Sequence, residues 1–263
     1  MLTIQNYVRA QSIEEAYQLN QNKGNCLLGG MMWLRMSRRT VGTAIDLSGL
    51  GLDEITEDET YFSIGAMTTL RQLEQHPGFS RYTEGAASEA LGQIVGVQFR
   101  NLATVGGSVW GRFGFSSVLT VLLALDAEVE LYKGGIVPLQ DFMTRKKDRD
   151  ILLGLRVRKT PGHFAYQSMR IQRTDFSVLE CMTAWMDGEI RTAVGARPMK
   201  AMLLRSAAED ELLCSDEKQK RYARWVAEQT PTGSNLRGSA AYRARLAEGL
   251  TLRNLRRLGG TQA

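Results

Sequence analysis

The chain has 263 residues, and its 33 Lys and Arg against 28 Asp and Glu leave a net charge of +5. Hydrophobic residues at 43% and charged residues at 23% are the proportions of a globular protein and exclude a disordered chain. Residues 201–263 hold 11 basic and 7 acidic side chains, so +4 of the +5 sits in the last quarter and asks for a partner or a solvated face.

From the N-terminus, Ser12-Ile13-Glu14-Glu15 is a capping box that predicts a helix from there to about Asn20. Asn22-Lys23-Gly24-Asn25 reads as a turn and Cys26-Leu27-Leu28 as a short buried strand. Gly29-Gly30 follows, and then an apolar helical segment from Met31 to Met36. Thr43 to Leu47 is a further strand candidate. A second α/β unit opens with a strand from Tyr61 to Ile64, a helix from Thr69 to Gln75 and another from Ser80 to Leu91. Gly92 to Gly114 is punctuated by glycine and shows little periodicity. Ser117 to Leu125 predicts a buried helix, Glu128 to Tyr132 a strand, and Asp150 to Val157 a closing strand.

Pro161-Gly162 marks a boundary. Beyond it, His163 to Arg170 and Ser177 to Met186 read as strands, and Asp187-Gly188 is a hairpin turn into Glu189 to Val194. The rest is expected to be helical: Leu203–Cys214, Asp216–Gln229 and Ser239–Leu258.

Hydrolytic and metal chemistry find little support. The two histidines, His76 and His163, have no motif around them, and His76 before Pro77-Gly78 reads as a partner for a helix C-terminus. Cys26, Cys181 and Cys214 are dispersed and form no disulfide framework or metal-ligand spacing, which suits a reducing, cytoplasmic location. No apolar run is long enough to span a bilayer, and the first residues show no signal pattern. Lys218, Lys220, Arg221 and Arg224 lie at near-helical spacing, but acids are interspersed and no nucleic-acid motif accompanies them. A solvated or docking face is the expectation there.

Two glycine segments carry more. Strand Cys26–Leu28, then Gly29-Gly30, then a helix start would expose backbone amides to an anion, although a tight strand–helix turn explains the same residues. The segment from Gln98 to Ser117 combines Gly106-Gly107 with hydroxyls at Thr104, Ser108, Ser116 and Ser117. Amides and hydroxyls together suit a pyrophosphate; a glycine-rich connection among core aromatics is the equal alternative.

Together these segments resemble the FAD-binding (medium) subunit of molybdenum hydroxylases, the family of xanthine dehydrogenase and carbon monoxide dehydrogenase flavin subunits. The family's AGGTDL reads here Leu28-Gly29-Gly30-Met31-Met32-Trp33. Its QIRNxATxGGNI reads Gln98 to Val109, its SPxSD reads Phe113-Gly114-Phe115-Ser116-Ser117, and its LLALDAxV reads Leu122 to Val129. Ile64 to Leu70 matches IGAxTTL, Asp150-Ile151-Leu152 matches DEIL, and Arg237-Gly238-Ser239-Ala240-Ala241-Tyr242-Arg243 matches RGSAxYR.

The resemblance implies an α+β fold. Two N-terminal α/β FAD-binding subdomains of the PCMH or vanillyl-alcohol oxidase type would span residues 1–55 and 56–160. A C-terminal antiparallel sheet with helices would span 161–263. Carried over by position, Leu27, Leu28, Gly29, Gly30, Met31, Met32 and Trp33 would hold the pyrophosphate and adjoining parts of a non-covalent FAD. Ile94 and Val95 would flank it. Ala103, Thr104, Gly106, Gly107, Ser108, Trp110 and Gly111 would line a second strip, with Ser117 at the place of the family's acid. Ile151 and Leu152 would pack near the isoalloxazine, and Gln167 stands where relatives place a lysine. The implied partners are a molybdopterin-binding large subunit and a [2Fe–2S] small subunit. Electrons would pass from the clusters through FAD to an acceptor such as NAD, and no residue here would act on the substrate. Met31, Met32 and Ser117 depart from the pattern and motivate an alternative, a structural subunit that no longer carries a flavin.

Overall fold

The computed structural model describes residues 1–209 and 211–260. The first segment runs β1 (Thr3–Arg9), α1 (Ile13–Asn20), β2 (Cys26–Leu28), a single 3-10 turn (Leu34–Met36) and β3 (Thr40–Asp46). The strands form a parallel sheet in the order β1-β3-β2. Ser12 caps α1 by accepting from the Glu15 amide, while the Glu15 carboxylate reaches back to the Gln11 amide. The expected helix from Met31 to Met36 is not formed. Met31 adopts a left-handed φ of 57°, which breaks helical propagation, and only Leu34–Met36 closes a turn.

The second segment supplies β4 (Ile55–Glu57), β5 (Tyr61–Gly65), α2 (Leu70–Gln75), α3 (Pro77–Tyr82), α4 (Ala86–Gly92), α5 (Val97–Arg100), α6 (Val105–Gly111), α7 (Ser117–Ala124), β6 (Glu128–Leu131), β7 (Gly135–Pro138), α8 (Leu139–Thr144) and β8 (Leu152–Arg158). Its strands make an antiparallel sheet ordered β4-β5-β8-β6-β7. The single helix expected from Ser80 to Leu91 is two, because Glu84 and Gly85 both take left-handed φ values of 51° and 81°. His76 joins α2 to α3. Its Nδ1 accepts from the Phe79 amide at 3.1 Å, so its side chain caps the N-terminus of α3 and not the C-terminus of α2.

The third segment holds β9 (Gly162–Met169), β10 (Leu179–Met186), β11 (Glu189–Gly195), β12 (Met202–Ala207), α9 (Asp216–Gln229) and α10 (Ala240–Leu258). Its antiparallel sheet is ordered β12-β11-β10-β9. The helix expected over Leu203–Cys214 is corrected: Met202, Leu203 and Leu204 pair with Val194, Ala193 and Thr192 as an edge strand. The helix propensity of Ala, Leu and Met is a weak preference, and a ladder of hydrogen bonds with a half-buried face overrides it. Asp210 in that span, and residues 261–263 of the last segment, lie outside the described residues.

The α+β class therefore holds. One large apolar core joins the five-stranded sheet, helix α7 and one face of the four-stranded sheet. Every residue of α7 is buried, which is why its sequence shows no polar stripe. Helices α9 and α10 cover the other face of the four-stranded sheet with a second core around Cys181, Tyr222 and Leu250. The cations of α9 meet acids: Lys220 with Asp216, Arg221 with Glu209, Arg224 with Glu248. None of the helices among the described residues is long and apolar enough to cross a membrane.

Arg100 of α5 is an internal strut. It is 5% exposed and grips Glu74 through Nε at 2.7 Å and Nη2 at 3.2 Å. Burial pushes the Glu74 carboxyl up, but hydrogen bonds from Arg100 and Arg71 outweigh this and hold it below its usual value of 4.5. The resulting stability is present above about pH 4.5 and is lost as pH falls through the lowered folded value. Urea unfolding from about pH 5 down to about pH 3 should therefore cost the wild type more stability than Glu74→Gln. Equal losses in the two proteins would show that this pair does not titrate with folding.

Candidate functional site

Gly29 and Gly30 end β2 at a point where two backbones meet. A Cβ on Gly29 would stand 2.8 Å from Thr104 Oγ1 and 3.8 Å from Gly107 Cα. A Cβ on Gly30 would overlap the Leu102 carbonyl and stand 2.9 Å from Ala103 Cα. The two glycine segments thus pack directly on each other, and side chains at 29 and 30 would wedge them apart.

Beside this contact lies a cavity of about 670 Å³, within the range of cofactor sites. Leu27, Leu28, Gly29, Gly30, Met31, Met32 and Trp33 line it from β2 and the turn that follows. Ile94 and Val95 line it after α4; Ala103, Thr104, Gly106, Gly107, Ser108, Trp110 and Gly111 line it from α6 and its cap; Ser117 heads α7; Ile151 and Leu152 open β8. The exception is Gln167. It sits opposite Cys181 in the β9–β10 ladder, and Cys181 belongs to the core under α9 and α10. Side chains alternate along a strand, so Gln167 faces those helices while Tyr166 faces α7.

The two glycine segments offer different chemistry. Among the described residues, the amides of Gly29 to Trp33 meet no protein acceptor. A left-handed residue inside such a turn directs successive N–H groups to one side, which suits an anion. The amides of α6 are already used. Val105 donates to Thr68 O at 2.8 Å, Gly106 to Ala66 O at 2.8 Å and Gly107 to Thr104 Oγ1 at 3.1 Å. Free amides at Gly106-Gly107 are therefore not found; that diglycine serves close packing, since a Cβ on Gly106 would sit 2.7 Å from Ala66 Cβ. The Thr104 hydroxyl accepts from Gly107 and keeps its own proton for another acceptor. No carboxylate occurs between residues 16 and 45, whereas Lys23, Arg35, Arg38 and Arg39 do, and Arg39 lines the cavity. The local field favours an anionic ligand.

Ser117 lines the cavity, but its hydroxyl is already engaged. Its hydroxyl donates to Glu180 Oε2 at 2.7 Å, joined by Ser177 at 2.8 Å and Tyr166 at 2.9 Å, with Thr120 on Oε1 at 2.9 Å. Glu180 is fully buried, and burial first, then its charge, pushes the Tyr166 phenol well up. This cage fastens α7 to β10. Glu180 was findable: it is the single charged residue between Asp175 and Asp187.

Val95 is a β-branched residue held at a left-handed φ of 49° and 39% exposed at the cavity. Such strain marks a segment fixed by its surroundings for use. Sequence reasoning missed two further parts of the lining. One is polar: Asn20, Asn25 and Arg149, where Arg149 donates to the carbonyls of Asn20, Asn22 and Asn25. The other is aromatic, with Phe113, Phe115 and Phe176 around Trp33.

A phosphate-and-ring ligand such as FAD fits this cavity by its size, its run of unpartnered amides and its two-part lining. A family model described as the FAD binding domain in molybdopterin dehydrogenase matches residues 2–157. The uncharacterized protein YgfM of Escherichia coli K12 is 29% identical over 245 residues, covering 91% of each chain. The nicotinate dehydrogenase FAD-subunit of Eubacterium barkeri is 35% identical over 80 residues, 30% of this chain and 27% of that one. A structure of Cu,Mo-CO dehydrogenase superposes with a TM-score of 0.84 at 21% identity over 99% of both chains. Quinoline 2-oxidoreductase from Pseudomonas putida 86 gives 0.83 at 16% identity, over 100% of this chain and 99% of that one.

Proposed function

The chain belongs to the family of FAD-binding domains of molybdopterin dehydrogenases, and from that membership we propose that it is the electron-transfer subunit of a multi-subunit, xanthine dehydrogenase-like molybdenum hydroxylase. It stands between the [2Fe–2S] clusters of a small subunit and an acceptor such as NAD, while a molybdopterin-binding large subunit oxidises the substrate. The relative named as a nicotinate dehydrogenase FAD-subunit supports the same role. The observation that carries the reading is one cavity shared by both glycine segments, with unpartnered amides from Gly29 to Trp33 at its wall.

FAD, when bound, supplies the ability to take electrons singly and release them in pairs. The chain's own residues hold and shield it. The amides of Gly29 to Trp33 and the Thr104 hydroxyl donate to the pyrophosphate. Ile94, Val95, Ile151 and Leu152 keep water from the ring. No side chain of this subunit selects the substrate, which falls to the large subunit.

Incubating the full chain with FAD and removing the excess should leave a bound flavin absorption band, with micromolar or tighter affinity by titration calorimetry. A chain that keeps no flavin would instead be a structural subunit of the same kind of complex.

A further inference from the structure

Trp33 is 38% exposed, yet three other rings surround it. Its centroid lies 5.2 Å from Phe115, 5.8 Å from Phe113 and 5.9 Å from Phe176, the last inclined by only 26°. Phe113 and Phe115 stack at 5.1 Å and 8°, and Phe115 meets Phe176 at 4.5 Å. All four line the cavity and none is buried. They come from three separate places in the chain: the turn after β2, the α6–α7 connection and the β9–β10 connection. Rings that served only the core would be covered by it; these form an open wall.

Another part of the lining is polar. Asn20, Asn25, Arg39 and Arg149 bring hydrogen-bonding and cationic groups to the same cavity. A flavin dinucleotide has the matching asymmetry, with a polar AMP half and a flat ring bearing a dimethylbenzene edge. We propose that the Trp33–Phe115–Phe176 wall is the stacking surface for the isoalloxazine, with the Trp33 indole in contact with it. The inference rests on the reading of this cavity as the flavin site.

Such contact has an optical consequence. An indole touching a photoexcited flavin gives it an electron, which then returns, so nothing is consumed and the emission is quenched. Phenylalanine fills nearly the same wall but is too hard to oxidise to do this.

The test uses the full chain loaded with FAD, in a Trp110→Phe background that removes the other indole of the lining. Trp33→Phe should brighten the bound flavin about tenfold. Trp33→Leu should in addition bind FAD roughly tenfold more weakly, because aromatic stacking is lost. Because Trp33 is partly exposed, neither change should unfold the chain. Emission from Trp33→Phe equal to that of its parent overturns the inference, as does a contrast that vanishes when FMN replaces FAD. A parent protein that takes up no flavin overturns the underlying reading, and this one with it.

Discussion

Arg243→Ala is expected to lower the stability of the chain by about 3–5 kcal/mol, because it breaks a buried hydrogen-bond network and removes a fully buried side chain. Arg243 is in α10, has no exposed surface, and closes the RGSAAYR motif. Its Nε donates to Val178 O at 2.8 Å, its Nη1 to Gly233 O at 2.8 Å and also to Gly238 O, and its Nη2 to Asn235 Oδ1 at 2.6 Å. The cation is thus held by four oxygens on two connections. It fastens the start of β10 and the loop before α10 to one helix. Truncation takes the donor from Val178 O and Gly233 O, whereas Gly238 O keeps the Asn235 amide and Asn235 Oδ1 keeps the Arg237 amide. Each acceptor left unsatisfied costs about 1–3 kcal/mol. Arg243→Lys should recover less than half of the loss, since one ammonium cannot span the four acceptors. Urea unfolding with an unchanged slope is the measurement. A loss below about 1 kcal/mol for Arg243→Ala would mean that water reaches these carbonyls.

What the sequence disclosed followed from how local each cause was. Helices α1, α2, α7, α9 and α10 were readable because caps and apolar spacing lie within the element itself. The strand at Met202–Ala207 was not, because its cause is the ladder to β11, a partner whose demand leaves no mark on Ala, Leu and Met. The split at Glu84-Gly85 was hidden by a non-glycine residue taking a left-handed φ. The same holds at the site. The glycine pairs located the cavity, since close backbone contact restricts those positions to glycine. Which pair keeps free amides was invisible, because that depends on Thr68 O and Ala66 O lying opposite α6. Gln167 was placed by resemblance alone. Strand parity, readable from Phe164 and Tyr166, would have turned it away from the cavity. The aromatic wall joins residues 33, 113, 115 and 176, too far apart for any local pattern to link.

Gly30→Ala should lower the affinity for FAD at least about a hundredfold while leaving most of the fold in place. The added Cβ would overlap the Leu102 carbonyl and crowd Ala103 Cα at 2.9 Å, and both are backbone, so neither can swing aside. The turn from Gly29 to Trp33 must then lift from the segment at 102–107. Inserting one methyl into such a contact costs about 1–3 kcal/mol. Bound FAD raises the penalty, because charge-assisted hydrogen bonds from displaced amides lose about 1.5–3 kcal/mol each. Two such losses exceed a hundredfold in affinity, at about 1.4 kcal/mol per tenfold. Gly249→Ala is the matched control: it lies in α10, its Cβ would meet nothing within 4 Å, and the helix should gain about 0.5–1 kcal/mol. Both variants add the same methyl group. Only the one at 30 separates the two backbones that form the cavity wall, so only that one should weaken flavin binding. Equal FAD affinities for the two would mean that the amides from Gly29 to Trp33 do not hold the pyrophosphate.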